Sequence, residues 1–177
     1  MNIFVLDSNP SIAAQMHCDK HVVKMCIELA QLLSCAHHAE DQSFYPTELY
    51  APTHTKHPCA IWTRATGANY RWAHEHWLAL LAEYSLRFNR QHGSSKLARY
   101  LRFTPESLRD SYVLTPHAIA MPAGYRTPYN AVESYRRYYA LGKIAITTWK
   151  SGTPQWYLDD IKKYGSEKEK FLCASQR

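Results

Sequence analysis

The stretch His17-Cys18-Asp19-Lys20-His21-Val22-Val23-Lys24-Met25-Cys26-Ile27-Glu28-Leu29-Ala30-Gln31-Leu32-Leu33 governs the reading of the whole chain. No Gly or Pro stands between Ser11 and His38, so the sequence predicts one helix of about 25 residues or more. At roughly 100° per residue, His17, Lys20, His21, Lys24, Glu28, Gln31 and Cys35 share a strip about 100° wide. Val22, Val23, Met25, Cys26, Ile27, Leu29, Ala30, Leu32 and Leu33 cover nearly all the rest. A surface helix gives its core a modest apolar stripe, and here that proportion is reversed. The helix is therefore expected to be mostly buried.

The plain account of the polar strip is a solvated face. Its composition argues for more: His17, Lys20, His21, Lys24, Glu28 and Gln31 form a set of donors, acceptors and proton carriers at successive turns. On a buried helix such groups shift one another's pKa, as catalytic groups do. Asp19 projects towards Cys26 and Val23, where a lone carboxylate is costly, so it requires an ion pair or a capping role.

Outward from that stretch, 177 residues suffice for one domain, 1–177, with a substantial core. No apolar run reaches the length of a membrane span, and Met1 to Asp7 is too short for a signal peptide, so a cytoplasmic protein with no membrane partner is expected. Cys18, Cys26, Cys35, Cys59 and Cys173 form no CxxC pair and are expected to be reduced and mostly buried. A net charge of +6 with a pI near 9.1 favours a polyanionic partner. Thirteen Tyr and five Trp suit unstacked bases, although core packing accounts for most of them.

In chain order, Ile3 to Leu6 predicts a short strand or extended arm, closed by the turn Asp7-Ser8-Asn9-Pro10. Asp41 to His57 reads as a loop, and a second long helix is expected from Pro58 to His92. Asn69 lies among the aromatics of one side of that helix, as a satisfied core amide or a ligand contact. A short helix is predicted over 105–112 after Thr104-Pro105-Glu106, and another from 131 to about 150 behind the cap Asn130. Between them Val113 to Tyr129 carries Pro116, Pro122, Gly124 and Pro128, and reads as a long ordered loop holding His117, Tyr125 and Arg126. Residues 166–177 read as a polar tail. The fold class expected is mainly α: a single-domain helical bundle with an extended amino-terminal arm or strand and long ordered loops.

P-loop, GxGxxG and GxSxG signatures are absent. His17 and His21 stand one turn apart, but the His-Glu signature of a zincin is missing, and neither a metal nor a cofactor is expected. Arg71 and His76 resemble the short motif of helical HEPN ribonucleases, or else form a solvated polar segment.

A broader resemblance spans most of the chain. A short arm leads into a first helix with Lys20 and Lys24; a second helix with a His near its start ends in Leu-Ala-Leu-Leu-Ala-Glu83-Tyr84; and Ser134, Arg136 or Arg137, Lys143-Ile144 and Pro154-Gln-Trp156-Tyr157 follow. This resembles the phage pyrimidine-dimer DNA glycosylases of the endonuclease V type, enlarged. The string Cys18-Asp19-Lys20-His21-Val22-Val23-Lys24-Met25 also resembles a phage-borne protein family.

The resemblance implies a damaged or modified DNA substrate and cleavage of a base–sugar bond, in which an amine attacks C1′ and a first-helix carboxylate assists. Lys20 and Lys24 take the cation places; His21 falls where the carboxylate is expected, so Glu28 or Asp19 must serve. The expected catalytic set is thus Glu28, His21, Asp19 and Lys24, with His21 moving a proton near neutral pH. The expected nucleic-acid contacts are Lys20, His17, Asn69, Tyr125, Arg126, Arg136 and Lys150. Three alternatives stand beside this: a non-catalytic DNA-binding or host-takeover protein, a metal-independent RNase using Arg71 and His76, and a glycosidase or transferase acting on free nucleotides. Oligomeric state is left open.

Overall fold

A computed structural model describes residues 1–39 and 46–174. Among the described residues it is all-helical, with no strand. The α-helices are α1 (Pro10–Met16), α2 (Asp19–His38), α3 (Pro58–Thr63), α4 (Gly67–Phe88), α5 (Ala98–Leu101), α6 (Ala131–Arg137) and α7 (Gln155–Ala174). Short 3-10 turns cover Gly93–Leu97, Glu106–Leu108, Ala123–Tyr125 and Ile144–Ile146, and a π-turn covers Tyr138–Gly142. A single buried cluster runs from Ile3 to Tyr157.

The first long helix is broken in two, although no residue in it is a breaker. His17 and Cys18 are extended, with ψ 138° and 159°. The cause is tertiary: the Arg87 guanidinium donates to Gln15 O at 2.8 Å and His17 O at 2.6 Å, taking carbonyls that would accept the next helical bonds. Asp19 N–H turns instead to Thr148 O at 2.8 Å. Asn9 caps α1 by accepting from Ser11 and Ile12 N–H, with Pro10 in the first turn as the sequence implies.

Helix α2 packs chiefly on α4, and α1 packs on α4 beside it. Trp77 Nε1 and Ser94 Oγ both donate to Cys26 O, at 2.9 and 3.0 Å, which ties α4 and the following turn to the middle of α2. Val22, Met25, Cys26, Leu29, Ala30, Leu32 and Leu33 are buried as expected, whereas Val23 and Ile27 are 38% and 40% exposed. Cys18, Cys26, Cys35 and Cys59 are buried free thiols.

The expected helix over 58–92 is likewise two pieces. Thr66 caps α4 by accepting from Asn69 N–H at 3.1 Å, and Asn69 Nδ2 donates to Trp62 O at 2.8 Å, closing α3. At Gly67 an added Cβ would lie 2.1 Å from Leu108 O, so only glycine admits the crossing segment. That crossing also shortens the helix expected over 105–112 to one 3-10 turn, because Ser111 O accepts from Ala68 N–H (2.9 Å) and Arg71 Nη2 (3.1 Å). The helix expected to reach 150 stops regular α-helix at Arg137, ahead of Gly142 and the β-branched run Ile144, Ile146, Thr147 and Thr148. At the other end α7 continues through 166–174, where a tail was expected. The loop expected over 41–57 lies outside the described residues at 41–45, and 46–57 is non-helical.

The amino-terminal segment is an extended arm, not a strand. Ile3, Phe4, Val5 and Leu6 are all at most 4% exposed, sunk into the core along α2. Phe4 adopts φ 52°, a left-handed conformation costly for a bulky residue, and Asn2 Oδ1 steadies the bend by accepting from Ile3 and Phe4 N–H at 2.8 and 3.3 Å.

Candidate functional site

Glu28 is 7% exposed, and every partner it has is a donor. Its Oε2 accepts from Asn2 N–H at 2.8 Å and stands 3.8 Å from the Met1 amino group; its Oε1 lies 3.2 Å from Lys24 Nζ. Two positive charges and a backbone dipole therefore compensate one buried carboxylate. Lys24 arises one turn before Glu28 on α2 and keeps its side chain 67% exposed, so this cluster opens outward along the lysine.

Asn2 joins the cluster to the proline-rich segment. Its Nδ2 donates to Ala120 O at 2.7 Å while its N–H holds Glu28. That segment is in turn fixed by Tyr135, whose OH donates to Ala118 O at 2.8 Å and accepts from Ala120 N–H at 3.1 Å. The first helix and the 113–129 loop thus meet at the arm, beside Glu28.

His57 lies within the electrostatic reach of the same cluster. Burial is the largest influence lowering its pKa, followed by the amino-terminal charge and His54, while Glu28 acts to raise it. Its Nδ1 accepts from Cys59 N–H at 3.2 Å, so the neutral ring carries its proton on Nε2. By sequence His57 only closes the 41–57 loop before the second helix; its proximity to Glu28 needed the tertiary fold.

No family model, curated protein or solved structure matches this chain. Among the described residues, no helix is long and apolar enough to cross a membrane.

The remaining expected residues divide by place. Asp19 is a clamp, not part of the Glu28 cluster: its carboxylate pairs with Arg87 at 3.2 Å and accepts from Lys150 N–H at 2.7 Å. Nine residues along α2 put it about 13 Å from Glu28. Its need for a partner was legible, and the partner proves structural. His21 is 4% exposed, hydrogen-bonded through Nδ1 to Tyr139 OH and stacked on Phe4 at 4.2 Å. Burial, with the charges of Lys143 and Lys24, lowers its pKa to about 3, so it stays neutral and does not exchange protons near pH 7. His17 is fully buried, its Nδ1 engaged with Ala13 O, and cannot touch nucleic acid in this conformation.

Asn69 is a satisfied amide: it donates to Trp62 O and Thr115 Oγ1 and accepts from Thr115 N–H at 3.0 Å, pinning the long loop to α4. Arg136 is bound to Asp160 at 2.7 Å and lies over the Trp156 ring. Lys150 Nζ donates to Arg87 O at 3.2 Å, on the Asp19 side of the molecule. Lys20 is exposed one turn before Lys24. Arg126 is exposed, its guanidinium steadied by Met121 O at 3.0 and 2.8 Å, and Tyr125 is half-buried with its ring 4.9 Å from Tyr138. The ribonuclease pair does not form: His76 is fully buried with Nδ1 against Pro10 O, and Arg71 is spent on Ser111 O and the Tyr112 ring.

Proposed function

We propose that this protein excises damaged or modified bases from DNA, with Glu28 as the carboxylate that assists cleavage of the base–sugar bond. The observation that carries the reading is the Glu28 cluster itself: a buried carboxylate within 3.8 Å of an amino group and 3.2 Å of a lysine. A carboxylate so placed stabilises the positive charge that grows on the sugar as the base departs. Lys24 Nζ, 3.2 Å from Oε1, serves as a phosphate cation, and the Met1 amino group, 3.8 Å from Oε2, is the proposed nucleophile, its proton passing to the carboxylate. Attack of that nitrogen at C1′ forms a C–N bond as the base leaves with the electrons of the glycosidic bond and takes up a proton. Lys20, Lys24 and Arg126 remain available for phosphates, in keeping with the net charge of +6. The resemblance to endonuclease V-type glycosylases implies a first-helix carboxylate; His21 stands at its matching point, and of the two substitutes, Glu28 and Asp19, this reading takes Glu28.

The test is base release from ultraviolet-irradiated duplex and from duplex bearing 5-substituted pyrimidines, read as alkali-labile sites. Glu28→Gln is expected to lower release at least about 100-fold while leaving DNA affinity within a few-fold. Borohydride trapping of a protein–DNA adduct reports the amine route. Absence of abasic product from every duplex, or unchanged turnover by the variant, overturns the proposal.

A further inference from the structure

Arg64 closes α3, and nothing in the fold holds its guanidinium. Among the described residues its side chain makes no ion pair and no hydrogen bond, and its Nη1 is cut off from solvent without an acceptor. By contrast Arg87 is held by Asp19 and Glu83, Arg126 by Met121 O and Arg136 by Asp160. A guanidinium keeps its charge at any physiological pH, and a partly desolvated charge without a counter-charge is costly. An anion seated against it removes that cost.

The fold provides the space for one. Arg64 lines a cavity of 190 Å³ together with Cys35 and His38 of α2 and with Pro52 and Thr55. A single water needs only about 15 Å³ of such space, so a tetrahedral oxyanion fits with solvent to spare. Among the described residues no carboxylate lines the cavity. Its walls are fastened: Cys35 Sγ donates to Thr53 O at 3.9 Å and Tyr50 N–H to Ser34 Oγ at 3.3 Å, which fix the 50–55 segment along α2. Cys35 and Pro52 present apolar surface, beside which a guanidinium attracts an anion more strongly than it does in water. Thr55 brings an exposed hydroxyl with no hydrogen bond among the described residues, and His38, one turn beyond Cys35, brings an imidazole. A forked cation and a hydroxyl in a partly closed space free of acids are the donors that a phosphate group takes.

We infer that this cavity binds an oxyanion of the phosphate class, with Arg64 as its principal ligand and Thr55 as a second donor. Cys35 stands seven residues beyond Glu28 on α2, about 10 Å along the helix axis, so the site is separate from the Glu28 cluster. The inference goes beyond the glycosylase reading and does not rest on it. The phosphate belongs either to a free small anion or to a DNA strand, and two probes separate these sources. One is inorganic phosphate, followed by its phosphorus NMR line width at constant ionic strength; the other is a labelled undamaged duplex, titrated at several salt concentrations.

The full-length parent is expected to bind phosphate saturably, with a Kd of about 1 mM or below. Arg64→Met keeps the aliphatic stem and removes the charge, and should weaken that binding at least about ten-fold; Arg64→Lys should weaken it less. Thr55→Val, at the exposed rim, is expected to cost about three-fold and keeps the test decisive should Arg64→Met fail to fold. Lys162→Met, on the exposed side of α7, leaves phosphate binding unchanged. Duplex affinity that falls in parallel in Arg64→Met, with a salt slope smaller by about 0.9, assigns the phosphate to a strand; loss confined to inorganic phosphate assigns it to a free anion. No saturable phosphate binding by the parent, or binding that Arg64→Met and Thr55→Val leave intact, overturns the inference. None of these readouts involves base release, so this inference and the glycosylase reading fail separately.

Discussion

Acid should unfold this protein from within, and two histidines set a lower bound on the effect, to which burial of His17 and His117 adds in the same direction. His21 and His76 are 4% and 0% exposed. Burial, the largest cause for each, lowers their pKa to about 3 and about 4; Lys143 and Lys24 add to the effect at His21, and the bond to Pro10 O opposes it at His76. Both rings are therefore neutral in the fold but protonate near pH 6.5 once the chain unfolds. The unfolded chain then binds more protons than the native one. Stability is complete above about pH 6.5 and is lost as pH falls towards the folded pKa values. From pH 8 to pH 5 each histidine forfeits about 2 kcal/mol, or about 4 kcal/mol together, a large share of a typical stability of about 5–15 kcal/mol. Urea titrations followed by tryptophan fluorescence at pH 8, 6.5 and 5 measure it directly. With a slope of about 2 kcal/mol/M, the midpoint should fall by at least about 2 M. His76→Asn, whose amide can take the place of Nδ1 against Pro10 O, should reduce that fall by about 1 M. A midpoint that moves by less than about 0.5 M between pH 8 and pH 5 refutes the account of neutral buried rings.

Two substitutions address the tertiary contacts that shape the helices. Arg87→Met leaves Asp19 and Glu83 without their shared cation and releases Gln15 O and His17 O, so we expect a loss of about 3–5 kcal/mol and a Tm lower by roughly 10 °C in a thermal melt. Gly67→Ala drives a methyl group against Leu108 O and is expected to cost about 1–3 kcal/mol in urea titration; an unchanged midpoint would mean that the 105–112 segment moves aside freely.

Much of the architecture was legible because it depends on local pattern. The apolar majority of the 17–33 stretch marked a buried helix, the turn Asp7-Ser8-Asn9-Pro10 marked the approach to it, and the prolines of 113–129 marked a segment without long regular elements. Glu28 and Lys24 also stood out, because a 3.6-residue period puts them on one face. What was not legible came from contacts distant in sequence. Arg87 breaks a helix 70 residues earlier by capturing His17 O, and no local propensity forecasts that. Val23 and Ile27 look like core residues by type, yet the partners packed on α2 leave them partly uncovered. Likewise His21 belonged to the right strip but lies beneath Phe4, which a left-handed bend in the arm lays over it.

The buried arm also bears on how the chain matures at the ribosome. Residues 2 to 6 emerge long before their partners: Asn2 binds Ala120 O and Phe4 rests against Tyr135, Tyr138 and Tyr139, which are synthesised some hundred residues later. Met16 O waits for Trp149 Nε1, and Asp19 N–H for Thr148 O. A nascent chain can form α2 and α4 early, but their greasy inner faces stay open until the last third is translated. For an all-helical protein this is an unusually non-local closure, and it predicts slow, chaperone-sensitive folding where simple bundles of the same length fold fast.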